Sequence, residues 1–163
     1  MKVHNSYSSV MFDPAKLRKV VAELARKLPE LQEKFDFDTI AVTGKSGCAV
    51  GFALSMVTGI HVVYVRKGES SHGDMVEGDG HEFTRYAFFD DFVCSGSTRD
   101  RIEEELKVRC NARGVDVPTC VLTIEYQTSN SQSRLTGAKT FCVADADKLP
   151  AHSFAVQSTE EFA

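Results

Sequence analysis

Two carboxylates stand side by side in the stretch RYAFFDDFVCSGSTRDRIEEEL, Arg85 to Leu106, at Asp90 and Asp91. They follow an apolar run and precede four small residues, Ser95, Gly96, Ser97 and Thr98. Adjacent like charges repel unless something positive or hydrogen-bond donating faces them, and sugar hydroxyls or a hydrated Mg2+ would serve. The small residues lie where a helix would begin, so main-chain N–H groups, hydroxyls and the positive end of the helix could cradle a phosphate. Two more polar groups follow apolar runs, Gly44-Lys45-Ser46-Gly47 and Arg66-Lys67. Lys45, Arg66 and Lys67 would carry charge for a second anionic group, arginine being suited to bidentate phosphate contact.

These groups need elements to hold them. DPAKLRKVVAELARKL sets Asp13 as an N-cap and Pro14 at the first helical position, with Leu17, Val20, Val21, Leu24 and Leu28 at helical spacing. Thr39 to Thr43 reads as a short buried strand that breaks at Gly44, and CAVGFALSMV as a helix rich in small residues. Ile60 to Val65 is an apolar, β-branched run suited to a strand buried on both faces. Lys67 to Phe83 is polar, with glycines at 68, 73, 78 and 80, the composition of a binding loop that could also hold a hairpin. YAFFDD is a third strand, TRDRIEEELKVRCNARG a charged helix closed by Gly114, and PTCVLTIEY a fourth strand. From Gln127 onward, SNSQSR reads as a loop and AKTFCVAD as a strand. Strand and helix alternate, which predicts an α/β fold with a mostly parallel sheet flanked by helices. Ligands in such sheets bind beyond the carboxyl ends of the strands, and all of the polar groups above, with Glu125 and Tyr126, fall there.

Composition narrows the classes. At 163 residues, with 42% hydrophobic and 26% charged residues, the chain has room for one domain with one core. No run reaches the roughly 18 apolar residues of a membrane span, and no signal-peptide core is present, so an intracellular, cytoplasmic protein is expected. The five cysteines are odd in number and form no C-x-x-C pair, which favours reduced thiols over a metal or redox centre. A net charge of -4 without a basic stripe argues against nucleic acid as a partner.

Blander readings compete. A lone pair of aspartates after a strand is usually a solvated turn. GKSG lacks the glycine a P-loop needs five positions before its final Gly-Lys pair, where Thr39 stands, so a P-loop kinase is rejected. His61 fits a packed strand residue, and His72 and His81 fit loop polarity. Cys94 has no evident histidine to activate it as a nucleophile. The charges of RDRIEEELK read most simply as a solvated face with i,i+4 pairing.

The combination YAFFDDFVCSGST resembles the phosphoribosyl pyrophosphate (PRPP) signature of the type I phosphoribosyltransferases. TIAVTGKSG is similar to the pyrophosphate loop of that family, and HVVYVRKGESSHG to its second strand, basic pair and flexible loop, closest to the adenine-type enzymes. The resemblance covers about residues 36 to 126 and implies a single phosphoribosyltransferase domain over 1–163, with a small variable hood from the N-terminal residues and about 127–163. It implies that Asp90 and Asp91 hold the ribose hydroxyls directly or through Mg2+, and that Cys94, Ser95, Gly96, Ser97 and Thr98 hold the 5-phosphate. Gly44, Lys45, Ser46 and Gly47 would contact pyrophosphate together with Arg66 and Lys67. Tyr126, Phe141 or Phe154 could stack on a base, each being equally suited to the core. The activity implied is transfer of the 5-phosphoribosyl group from PRPP to a nucleobase, a purine before a pyrimidine, with release of pyrophosphate, by a homodimer. The rival is a non-catalytic sensor of PRPP or a nucleotide that keeps the fold. The sequence departs from the family at Cys94-Ser95 and Ser97, where many members have Ala-Thr and Gly, and it shows no clear loop lysine of the orotate type.

Overall fold

The computed structural model describes residues 9–68, 73–93, 95–127 and 140–142, the last three and Ser9 in backbone only. Cys94, His72, Phe154 and most of the expected hood lie outside the described residues, as does the loop expected at SNSQSR.

A four-residue helix α1 (Ser9–Phe12) leads into α2 (Pro14–Phe35). Asp13 caps α2 as expected, its carboxylate accepting the N–H groups of Ala15 and Lys16. The helix does not stop at Leu28: it runs through Pro29, although proline forfeits one intrahelical hydrogen bond. Leu28, Leu31 and Phe35 are all buried against the sheet, and that burial holds the last two turns together.

Six strands follow the order β3-β2-β1-β4-β5-β6. They are β1 (Thr39–Val42), β2 (His61–Val65), β3 (Val76–Glu77), β4 (Arg85–Asp90), β5 (Thr119–Glu125) and β6 (Thr140–Cys142). All neighbours pair in parallel except β3, which returns antiparallel along β2. Strands β2 and β3 therefore make the hairpin that the glycine-rich composition allowed. Helices α3 (Gly44–Thr58) and α4 (Ser97–Arg113) cross between the parallel strands, α4 closing on Gly114 as expected. Among the described residues no helix is long and apolar enough to cross a membrane, and Cys48, Cys110 and Cys120 are free thiols.

The period of two along the central strands sorts the core into two layers. Ile40 and Val42 of β1, with Ala87 and Phe89 of β4, face α2 and α3 and meet Leu24, Leu28, Val50 and Leu54. Ala41, Tyr86 and Phe88 face the other way, toward Ile102 and Leu106 of α4. Being covered on both sides, β4 is buried at every residue after Arg85, which explains its unbroken apolar run.

At the amino ends of the strands, far from their carboxyl rim, a second polar group ties down the hairpin's return arm. The rings of His61 and His81 stack at 3.6 Å between centroids. His61 Nδ1 lies 2.7 Å from an Asp79 carboxylate oxygen, and His81 Nε2 lies 2.7 Å from one of Asp38. His61 and His81 are thus members of a clamp, a role that neither strand packing nor loop polarity had suggested.

Gly51 marks the tightest helix-to-sheet approach: a Cβ there would lie 2.8 Å from Val42 Cγ1. Gly51→Ala is expected to lower unfolding stability by about 1–3 kcal/mol through overpacking, read from urea melts; an unchanged midpoint would show that Val42 simply moves aside.

Candidate functional site

The chain leaves β1 toward β2 on one side and later enters β4 on the other, so the sheet order reverses between β1 and β4. Beyond the carboxyl ends of strands flanking such a reversal lies a crevice where open α/β sheets take ligands. Val42 pairs with Phe89 and with Tyr64 in register, which brings Gly44, Arg66-Lys67 and Asp90-Asp91 to one rim. Glu125, opposite Asp90 in register, adds a fourth edge.

The turn after β1 is made by two residues. Thr43 is still extended, and its hydroxyl donates to the Val65 carbonyl at 2.5 Å, fastening the end of β1 to that of β2. Because that hydroxyl is engaged, α3 begins with no side-chain cap. Gly44 then takes φ +65°, a left-handed conformation that favours glycine, so Gly44 to Gly47 form the first helical turn and not a free loop. A Cβ at Gly44 would sit 2.8 Å from both Cε and Nζ of Lys67, so the Lys67 ammonium lies directly over this turn. The bare backbone of Gly47 lets the turn close on β4: a Cβ there would be 3.0 Å from the Phe89 carbonyl and 3.5 Å from Asp90 Oδ1. Uncapped N–H groups beneath a lysine are suited to an anion.

Asp90, the last residue of β4, is 7% exposed. Its Oδ1 accepts the Ser46 hydroxyl at 3.0 Å and the Asp91 N–H at 2.9 Å. Burial pushes its carboxyl up to about 6, the Asp91 charge adds to the rise, and the two donors pull the other way. Asp91 is half-buried, with Oδ1 accepting the Phe92 N–H at 2.9 Å. Past the end of β5 the ladder continues as Gln127 N–H donates to the Asp91 carbonyl at 2.8 Å. Glu125, 5% exposed, accepts the Val93 N–H at 2.8 Å and so orients the turn that follows the acidic pair. On α3, the Cys48 thiol is pushed up to about 11 by burial and then by the Asp90 charge, Lys67 opposing, which leaves it protonated and no nucleophile.

Beyond that turn, Gly96 at φ +83° caps α4, which starts at Ser97. Glycine offers no side chain to the first-turn N–H groups. Ser95 partly replaces one, its hydroxyl 2.9 Å from that of Ser97 and within 3.4 Å of the Ser97 N–H. Ser95 to Thr98 thus present hydroxyls and main-chain donors at a helix N-terminus, as the small-residue run predicts.

The basic pair is split. Lys67 turns to the Gly44 turn, whereas Arg66 runs to β3 and donates to Glu77 Oε1 from Nη2 at 2.5 Å and from Nε at 3.2 Å. That hydrogen bond holds the guanidinium pKa above its usual range. Arg101 of α4, read from the sequence as part of a solvated face, instead donates to the carbonyls of both Arg66 and Lys67, the latter at 2.6 Å. Lys45 is exposed on the rim. Tyr126, expected either to stack on a base or to pack in the core, is 2% exposed, its ring stacks on Phe89 at 5.7 Å, and its hydroxyl donates to the Ser46 carbonyl at 3.1 Å. It braces the first turn of α3 and presents no free face. Phe141 lies on β6, its side chain outside the described residues.

Two uncapped helix starts therefore flank an acidic pair, Asp90 buried and Asp91 half-buried, an arrangement fit for a polyol carrying an anionic group at each end. Among the described residues no group of three or more His, Cys, Asp or Glu forms a metal cage. Mg2+ commonly takes one or two carboxylates and fills its octahedron with water and substrate phosphate, and the hard oxygens of Asp90 and Asp91 fit that use.

The fold is that of the type I phosphoribosyltransferases. UMP synthase from Leishmania donovani superposes with a TM-score of 0.63 at 19% identity, over 86% of this chain and 29% of that one. Orotate phosphoribosyltransferase from Aeropyrum pernix gives 0.63 at 13% identity, over 88% and 78%. Adenine phosphoribosyltransferase from Saccharomyces cerevisiae, complexed with an imino-altritol bisphosphate and adenine, gives 0.58 at 19% identity, over 82% of each. The chain thus spans 29% of the length of the first of these and about four fifths of the others. No family model matches the sequence, and no curated protein does.

Asp90 gives this site a pH signature. Its folded pKa of about 6 lies above the ordinary 3.8, so the folded protein binds more protons in that window and loses stability as pH rises through it. Asp90→Asn keeps an Oδ1 for both donors and removes the charge. Relative to wild type it should gain about 1 kcal/mol or more between about pH 5 and pH 7.5 in Mg2+-free urea melts. A difference that stays constant with pH would show that Asp90 ionises normally.

Proposed function

We propose that this chain is a Mg2+-dependent phosphoribosyltransferase that moves the 5-phosphoribosyl group of PRPP to a ring nitrogen of a nucleobase, a purine before a pyrimidine, and releases pyrophosphate. The observation that carries the reading is the burial of Asp90 beside Asp91 between two uncapped helix N-termini, one of them roofed by Lys67. PRPP has matching parts: a phosphate, two ribose hydroxyls and a pyrophosphate, in that order along the molecule.

In this reading Asp90 and Asp91 accept the ribose 2- and 3-hydroxyls, while Ser95, Gly96, Ser97 and Thr98 donate to the 5-phosphate. The Gly44 to Gly47 turn and Lys67 receive the pyrophosphate. Arg66 reaches it only by exchanging Glu77 for the substrate. When bound at the acidic pair, Mg2+ would supply charge neutralisation to the leaving pyrophosphate. The chain itself supplies position and field: helix N–H groups and Lys67 stabilise negative charge gathering on the leaving group. The carboxylates favour the positive charge that develops at the anomeric carbon. The bond from that carbon to pyrophosphate oxygen breaks, a bond to the base nitrogen forms, and the base sheds a proton. No covalent enzyme intermediate is needed. By the same resemblance, the protein works as a homodimer.

The test is to supply PRPP, Mg2+ and, in turn, adenine, hypoxanthine, guanine, uracil and orotate, following pyrophosphate release. Turnover with a purine is expected, and the double variant D90N/D91N should lower kcat/KM at least about 100-fold while melting no lower than wild type. PRPP binding without turnover on any base would replace the enzyme by the sensor. Unchanged kinetics in the double variant would remove the acidic pair from the site.

A further inference from the structure

Arg101 lies one turn past Ser97 on α4, yet its side chain leaves the helix for the end of β2. There Nη1 donates to the Lys67 carbonyl at 2.6 Å and Nη2 donates to that of Arg66. A planar fork with donors on two separate nitrogens holds two consecutive carbonyls in a fixed geometry, which the freely rotating donors of a single ammonium nitrogen do not impose. The consequence is local and strict. The Arg66 carbonyl belongs to the peptide plane before the Lys67 Cα, and the Lys67 carbonyl to the plane after it. Peptide planes are rigid, so orienting both fixes φ and ψ of Lys67 and with them the direction of its Cα–Cβ bond. That bond starts the side chain whose Nζ lies over Gly44. Lys67 otherwise carries four freely rotating methylenes, and an unanchored residue would lose more entropy on settling over an anion. Arg66 is held separately through its side chain by Glu77 and through its N–H by the Met75 carbonyl at 2.9 Å, so the residue before Lys67 is fixed on three sides.

We propose that Arg101 is a positioning residue for the pyrophosphate side of the site, acting through Lys67. It ties the helix that begins at the Ser95 to Thr98 loop to the cradle for the opposite end of the substrate. The proposal rests on the reading of the two anion sites given above, and it assigns Arg101 no contact with substrate.

Titration calorimetry with two probes, Mg2+-pyrophosphate and ribose 5-phosphate, separates the possibilities. Wild type should bind both. R101A should bind pyrophosphate about tenfold more weakly, the scale of one charged hydrogen bond, and ribose 5-phosphate within about twofold of wild type. K67A should show a similar selective loss, and R101A/K67A should bind pyrophosphate within about twofold of K67A, because a residue acting through Lys67 has nothing to orient once Lys67 is gone. R101K should recover little of the loss, since a single nitrogen on a shorter stem does not impose the fixed two-point geometry of the guanidinium. Multiplying losses in the double variant, equal loss of both ligands in R101A, or wild-type pyrophosphate affinity in R101A would each overturn the proposal. If R101A does not fold, R101Q, which keeps one donor, is judged by the same criteria. Wild type that binds neither probe would overturn the site assignment itself, a result visible before any variant is made.

Discussion

A charged carboxylate at the end of a buried central strand is the constraint to which the rest of the rim answers. Asp90 has lost nearly all its water and stands beside a second carboxylate, so its ionised form is disfavoured. Everything placed around it softens that cost without removing it. Ser46 and the Asp91 N–H supply donors to one oxygen, and Gly47 allows α3 to come near enough for Ser46 to reach. Tyr126, from the next strand, holds the carbonyl of Ser46 and so fixes the donor. What remains uncompensated is charge, and a site built around uncompensated negative charge favours ligands that bring hydroxyls or a cation to it.

Two backbone devices let the rim exist at all. Gly44 changes direction within one residue, so β1 delivers its helix start onto the end of β4 without an intervening loop. Gly96, at the end of the turn that follows the acidic pair, makes the corresponding change of direction into α4. Both leave helix N–H groups without side-chain caps, which an ordinary helix end would fill with serine, threonine or aspartate. Thr43 occupies the capping position of α3 but spends its hydroxyl on Val65, joining strands instead of closing the helix. Stability at the helix start is thereby given up where binding capacity is gained.

Much of this was legible in the residues. The strands announced themselves as apolar runs because β1 and β4 are covered on both faces, and Asp90-Asp91 followed by small residues stood out because like charges at a strand end need a reason. The long helix continues through Pro29, where a local penalty is outweighed by burial of Leu31 and Phe35 that no local rule displays. Arg66 and Lys67, adjacent in sequence, part company because Glu77 lies on a strand visible only once the hairpin is formed. Arg101 carried no signal: among the charges of α4 it looks like any solvated residue, and its partners lie 34 and 35 residues away. For Tyr126 the residues left base stacking and core packing both open, and its burial depends on Phe89 beneath it, a neighbour that the sequence does not display.

The stacked pair of His61 and His81 has a consequence for the hairpin it clamps. With Arg66 fixed at one end and His81 at the other, both feet of the arm stand on the sheet, and the separation between them is set by β2 and not by what connects them. The entropy of closing a chain between fixed feet grows only with the logarithm of its length. Lengthening the connection would therefore alter the free energy of folding very little, whereas its described residues are constrained in kind: a Cβ at Gly73 would meet Glu77 and Arg66, and Asp74 pairs with Arg109 at 2.7 Å. Restrictions on residue type in this connection come from those side-chain neighbours and not from the closing of the chain.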